Sequence, residues 1–247
     1  MKVIVITGAS RGIGAATARL AGERGYSVCV NYLRDRSAAE AVVQDIVGRG
    51  GKAVAVRADM QSEADIVAMF LAVDAQLGRV TALVNNAGIV AEPRRLDGFD
   101  ASRLGHLFAI NAIAPFLCAR EAIKRMSTRY GGAGGGIVNV SSAASRLGSP
   151  GEYVDYAASK AAIDTMTIGL AKEVAAEGIR VNAVRPGIIY TDIHASGGQA
   201  DRVERFKEQI PMKRGGQPDE VARAILWLLS DEASYATGAI LDVSGGR

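Results

Sequence analysis

Residues 3–14 read VIVITGASRGIG, and this stretch decides the fold. Four β-branched residues, Val3 to Ile6, make an apolar run that reads as a buried strand. Thr7-Gly8-Ala9-Ser10-Arg11-Gly12-Ile13-Gly14 comes directly after it, and a helical pattern starts at Gly12. Glycines here let the backbone turn tightly and approach a pyrophosphate. The helix N-terminus offers free N–H groups to that anion. The spacing is G-x-x-x-G-x-G, not the commoner G-x-G-x-x-G. Strand, glycine turn and helix in this order predict a dinucleotide-binding unit.

The alternation recurs outward from there. Short β-branched runs at 28–31, 53–56, 82–84, 136–140, 180–184 and 240–243 read as further buried strands. Amphipathic stretches at 12–24, 38–49, 62–77, 103–129, 156–177 and 218–230 read as the helices between them. So many strand–helix repeats imply a parallel sheet covered on both faces. The expectation is an α/β, doubly wound Rossmann fold with a seven-stranded parallel sheet and helices on both faces. No linker or shift of composition divides the chain, so residues 1–247 are expected to form one domain. The run GGAGGG at 131–136 reads as a flexible surface loop entering the fifth strand. Residues 188–214 carry no strand signal and lie beyond a strand end, so they are a candidate lid.

Composition narrows the function classes. Of 247 residues, 22% are charged and 49% hydrophobic, which is ordinary for a soluble globular chain. A net charge of +3 argues for neither nucleic acid nor an anionic membrane as partner. The apolar stretch at the N-terminus is too short for a span and lacks a cleavage pattern, so a cytoplasmic location is expected. Cys29 and Cys118 fall in apolar runs and read as small core residues. His106 and His194 are far apart without ligand-spaced neighbours, so no metal is expected.

Cofactor choice is read at the end of the second strand. A site for NAD usually offers an acid there to the adenosine ribose. Asn31 and Tyr32 occupy the position, and Arg11 and Arg34 are near enough to reach a 2′-phosphate. This favours NADP(H), with NAD(H) possible; Asp35 speaks against it. Tyr156 and Lys160 then stand one helical turn apart. A fixed ammonium ~4 Å away favours the phenolate by up to roughly 4 kcal/mol, about three pKa units before desolvation opposes it. Such a pair suits proton transfer in carbonyl and alcohol chemistry.

Together these residues resemble the classical short-chain dehydrogenase/reductases over essentially the whole chain. The matching motifs are Thr7 to Gly14, Asn85-Asn86-Ala87-Gly88, Asn111, Ser142 with Tyr156 and Lys160, and Pro186-Gly187, in the family's order and spacing. The likeness is greatest to bacterial sugar (glucose 1-) dehydrogenases, with 3-oxoacyl-carrier-protein reductases as near relatives. The resemblance implies that Tyr156 is the general acid/base. Lys160 would hold the nicotinamide ribose and lower the tyrosine pKa. Ser142 would bind the substrate oxygen, and Asn111 would anchor a relay water. Implied cofactor contacts are Thr7, Gly8, Ser10, Arg11, Gly12, Ile13 and Gly14 in the loop, then Asn31, Tyr32, Arg34, Asp59 and Met60. Asn85, Ala87, Gly88, Pro186, Gly187, Ile188, Ile189 and Thr191 complete them, beside Tyr156 and Lys160.

Ser142 lies fourteen residues before Tyr156, where thirteen is usual in the family, and Ala143 stands at thirteen. Distance from the fifth strand selects Ser142 over Ser141. Tyr153 is seven residues from Lys160 and cannot make the one-turn pair; it lines the pocket or is an ordinary loop aromatic. Substrate choice is expected in 91–99, 146–155 and 188–212. There Arg202, Arg205 and Lys207 alternate with Asp201, Glu204 and Glu208, as in a solvated mixed-charge helix. The implied activity is hydride transfer between NADP(H) and a small carbonyl or alcohol, sugar-like by preference, with 3-oxoacyl-carrier-protein reduction as the alternative. A non-catalytic NADP(H) sensor is the rival of another class. The resemblance also implies a homotetramer, through the helices at 103–129 and 156–177 and through 218–230 with 240–243.

Overall fold

The computed structural model describes residues 2–247; the side chain of His194, and with it that part of the metal expectation, lies outside the described residues. Seven strands form one parallel sheet: β1 Lys2–Ile6, β2 Tyr26–Tyr32, β3 Lys52–Arg57, β4 Ala82–Asn85, β5 Gly135–Val140, β6 Ile179–Pro186 and β7 Ile240–Val243. Their order is β3-β2-β1-β4-β5-β6-β7. Every predicted strand is present, most a residue or two longer than its β-branched run. Ile6 is in register with Val30 on one side and Val84 on the other. The order reverses between β1 and β4, and open parallel sheets bind ligands in the crevice beyond such a reversal.

The helices are α1 Gly12–Glu23, α2 Arg36–Gly48, α3 Glu63–Gln76, α4 Ala101–Phe108, α5 Ala114–Met126, α6 Ala144–Leu147, α7 Val154–Val174, α8 Ile193–Ser196, α9 Arg202–Phe206 and α10 Pro218–Leu229. One core cluster packs α1, α2 and α10 on the sheet through Ala18, Val42 and Ile225. A second packs α3, α5 and α7 on the other face through Phe70, Met126 and Ile163. Cys29 and Cys118 lie in the interior, where burial pushes both thiols up to about 12 and leaves them unreactive. Asp35 caps α2 by accepting the Ala38 N–H at 2.9 Å, which explains an acid at that position without a ligand.

Two expectations change. The helix expected at 103–129 is α4 and α5 joined by a π turn, Ala109–Ile113. Ala101–Met126 is long and apolar enough to pass for a membrane span, yet 56% of that apolar window is buried inside the protein. The candidate lid forms no strand among the described residues; it holds α8, α9 and an isolated bridge from Ile189 to Gly216. The 131–136 run is a surface loop that enters the fifth strand, as expected, but it is close-packed. A Cβ on Gly132 would stand 2.1 Å from the Met126 carbonyl oxygen. Arg79 straps the corner by donating to the carbonyls of Arg125, Tyr130 and Gly131.

Candidate active site

The loop after β1 is held from both sides. Asn31, 1% exposed, accepts the Gly8 N–H at 3.0 Å and donates to the carbonyls of Val56 and Ala58. From β4, the Asn86 amide donates to the carbonyls of Thr7 at 2.8 Å and Gly8 at 3.0 Å. The Thr7 hydroxyl accepts the N–H groups of Asn86 and Ala87. Gly14 is required by this packing, because a Cβ there would lie 2.5 Å from both the Asn86 amide and the Gly8 carbonyl. Among the described residues no side chain caps α1 and its first turn holds no acid, so its first N–H groups are left for an anion. The loop therefore fits the pyrophosphate of a dinucleotide on geometry alone. Ser10 and Ile13 are half-buried along it. Arg11 is exposed and reaches the Ser196 hydroxyl of α8 at 3.4 Å, and Gly12 faces the Thr191 methyl.

Several residues expected at the cofactor turn their side chains inward. Asn31 is committed to the loop and the sheet, as above. Met60, 6% exposed, packs in the core against Cys118. Asn85, 4% exposed, donates to the Pro115 carbonyl and to Asn139, leaving its oxygen without a partner. The neighbour Asn86, not the expected Asn85, faces the loop. Strand alternation separates the two. Tyr32 is 8% exposed at the end of β2, while Arg34 is exposed and pairs with no acid among the described residues. Asp59 is half-buried and accepts the Gln61 N–H. Pro186 ends β6, Gly187 bonds to Val243, and Ile188 and Ile189 are buried beside it.

The four residues singled out for chemistry meet beyond β4 and β5. Asn111, 0% exposed, sits in the π turn, a wider helical turn that often marks functional sites. Its oxygen accepts the Ile89 N–H at 2.8 Å, and its amide donates to the Ile89 carbonyl and the Ser159 hydroxyl. Lys160 comes from the second turn of α7 and donates to the Val140 carbonyl at 2.9 Å. Gly88 lies between them: a Cβ there would be 3.3 Å from Lys160 Nζ and 3.5 Å from Asn111 Oδ1. Ser141 is buried and donates to the Lys160 carbonyl, so its hydroxyl is spent on α7. Ser142 is half-buried, accepts the Ala144 N–H at 3.1 Å, and faces the Tyr156 phenol.

The electrostatics depart from expectation. Burial, opposed by the Ser142 hydrogen bond, pushes the Tyr156 phenol up. Burial pulls the Lys160 ammonium down to about 8, with Asp164 opposing. Lys160 Nζ is 5.8 Å from the Tyr156 ring centroid and aims at a carbonyl, so desolvation outweighs the attraction. Tyr153 is 5% exposed beneath the Arg202 guanidinium, 5.0 Å from its ring. Arg202 in turn holds Glu152 at 2.6 Å and so ties α9 to the start of α7. Among the described residues, no three His, Cys, Asp or Glu side chains converge to hold a metal.

With this geometry in place, known proteins agree on one class. A family model described as enoyl-(acyl carrier protein) reductase matches residues 8–247. An oxidoreductase of Escherichia coli (strain K12), YgfF, whose activity is uncharacterized, is 56% identical over 247 residues, covering all of both chains. A 3-oxoacyl-[acyl-carrier-protein] reductase of Synechocystis is 37% identical across 99% of this chain and 96% of its own. Among solved structures, a short-chain type dehydrogenase/reductase from Mycobacterium marinum superimposes with a TM-score of 0.92 at 33% identity, covering 99% of this chain and 94% of that one. A blue fluorescent protein from a metagenomic library, in complex with NADPH, superimposes at 0.90 and 33%, covering 99% and 97%. The chain belongs to the short-chain dehydrogenase/reductase family. Members are NAD(P)(H)-dependent oxidoreductases of small molecules, and this chain is an oxidoreductase of that kind.

Proposed function

We propose that the whole chain, 1–247, works as one domain that interconverts a carbonyl and a secondary alcohol, with NADP(H) preferred and NAD(H) possible. The approach of Lys160 and Asn111 at Gly88, with Ser142 facing Tyr156 and Tyr156 one turn from Lys160, carries this reading. When bound, the dinucleotide supplies or accepts the hydride. In reduction Tyr156 gives its phenolic proton to the carbonyl oxygen, which Ser142 holds by a hydrogen bond. A phenol kept protonated by burial is a suitable donor. Lys160 leaves the Val140 carbonyl, holds the ribose hydroxyls and brings positive charge to the new phenolate. Asn111 keeps a water in line with Lys160 to return the proton.

A sugar-like polyol remains the preferred substrate, and 3-oxoacyl-carrier-protein reduction the alternative, favoured by relatives that bear that name. Docking of an acidic carrier on Arg202, Arg205 and Lys207 has little support. Each is already paired, with Glu152, Asp201 and Glu204 respectively. A cytoplasmic homotetramer completes the proposal. Purified protein is assayed with NADPH against a ketone panel including ethyl acetoacetate, and with NADP against glucose and other polyols. Turnover that falls a hundredfold or more in Tyr156→Phe, with NADPH binding kept, supports the reading. Turnover within threefold of the parent removes Tyr156 as acid/base. Binding of NADPH with no turnover on any partner favours the sensor.

A further inference from the structure

We propose that the Arg103–Asp155 ion pair is a positioning device that fixes Tyr156 against the substrate loop; this rests on the reading of Tyr156 as acid/base. Tyr156 is only the third residue of α7, in the turn of a helix most prone to fray. The N-cap residue, Tyr153, makes no side-chain cap bond. Asp155 supplies what is missing: its Oδ1 accepts the Tyr156 N–H itself at 2.9 Å. A carboxylate also suits the positive end of the helix.

That carboxylate is 1% exposed and needs a partner. Arg103 provides it from α4, with Nε at 2.7 Å from one oxygen and Nη2 at 3.4 Å from the other. Nη1 donates to the Glu92 carbonyl at 2.7 Å, and the guanidinium lies 4.1 Å from the Phe99 ring centroid. One buried fork therefore joins three pieces: the 91–99 loop, the helix leading to Asn111, and the backbone of Tyr156. A lysine has one point of charge and cannot make all of these contacts.

The approach to Tyr156 explains why such a device is needed. Ser142 and Tyr156 are separated by one residue more than is usual in the family. Between the two lies a turn where Gly148, Ser149 and Gly151 all have positive φ, at 74°, 47° and 76°. Ser149 is a non-glycine residue in the left-handed region, and a turn of this kind does not by itself fix the first turn of α7. The Tyr156 hydroxyl must still meet Ser142 to within a fraction of an ångström. A misplacement of about 1 Å can cost a hundredfold in rate.

The test compares Arg103→Gln, Asp155→Asn, the double variant, Arg103→Lys and Tyr156→Phe, each with NADPH and the ketone the parent reduces fastest. The expected result is a kcat at least tenfold lower in each neutral single variant, with the NADPH Kd within twofold of the parent. The double variant should be no worse than either single one, since both remove one interaction. Arg103→Lys should recover part of kcat. Parent-like kcat in Arg103→Gln and Asp155→Asn, alongside an inactive Tyr156→Phe, overturns the positioning role and leaves the functional reading standing. Equal losses of kcat, NADPH affinity and melting temperature would make the pair a plain structural staple and overturn it too. Should Arg103→Gln not fold, Asp155→Asn decides, since it keeps an acceptor for the Tyr156 N–H. An active Tyr156→Phe, or no ketone reduced by the parent, defeats the functional reading and this proposal with it.

Discussion

At the scale of single residues, Lys160 shows most clearly how environment overrides motif. Four-residue spacing suggests an ammonium that depresses the Tyr156 pKa, but both groups are buried and the tyrosine moves up instead. Lys160 falls from 10.5 to about 8, so the unfolded chain binds its proton more tightly than the folded one. The penalty is whole below pH 8, shrinks as pH rises from 8 to 10.5, and vanishes above. It amounts to about 3 kcal/mol, the worth of the net shift after Asp164 has opposed burial. Lys160→Met should therefore lose turnover yet match or exceed the parent's melting temperature at pH 7. That advantage should narrow between pH 8 and 10, as thermal melts across the range will show; a variant clearly less stable at pH 7 contradicts it. Arg34 has a different task. Asp35, the acid that opposed an NADP reading, is occupied in capping α2, while Arg34 is exposed and unpaired among the described residues. Fluorescence titration should give NADPH a Kd roughly ten- to a hundredfold below that of NADH, the worth of a charge-assisted phosphate contact. Arg34→Ala should erase much of the gap; equal constants in the parent refute the preference.

At the scale of elements, the sheet was legible because buried parallel strands are written as β-branched runs. All seven predicted runs became strands. Ends were less readable, since ladder hydrogen bonds extend strands past their apolar residues, as at Tyr26 and Pro186. Two features had no sequence signal. The π turn at 109–113 keeps helical composition and differs only in its hydrogen bonding. The inward turn of Asn85 and outward turn of Asn86 depends on one residue of strand phase. The glycine run at 131–136 marked the loop into the fifth strand but not its packing, because composition records that glycine is flexible but not that it is small. Here smallness decides. Gly132→Ala would drive a methyl onto the Met126 carbonyl and should cost about 3 kcal/mol, the upper range for overpacking. Gly131→Ala has open space and only a φ of +73° to resist it, so about 1 kcal/mol is expected. Urea unfolding of the two variants ranks them; equal losses would mean the corner yields freely.

At the scale of the whole molecule, the apolar residues of the two long helices divide between core and surface. Leu107, Ile110, Ala114 and Ile163 are buried in the chain's own core. Ile113 of the π turn, Phe116 of α5 and Ile168 of α7 are 55%, 53% and 42% exposed, where a helix packed on one sheet needs no second apolar stripe. Trp227 of α10 and Leu241 of β7 are also partly exposed, and Tyr235, between them in the sequence, is wholly exposed. Exposed aromatic and aliphatic groups of this kind mark interaction surfaces. A chain that pairs through the α5 and α7 surface and again through the α10 and β7 surface, each about its own two-fold axis, would build the proposed tetramer of dihedral symmetry. Light scattering after size exclusion should give four chains of 25.8 kDa, a mass of about 103 kDa. Phe116→Arg should break the first interface and leave a dimer held by the second. A parent mass of one chain at micromolar concentration refutes the assembly, and a mass of two chains leaves one of the patches without a partner.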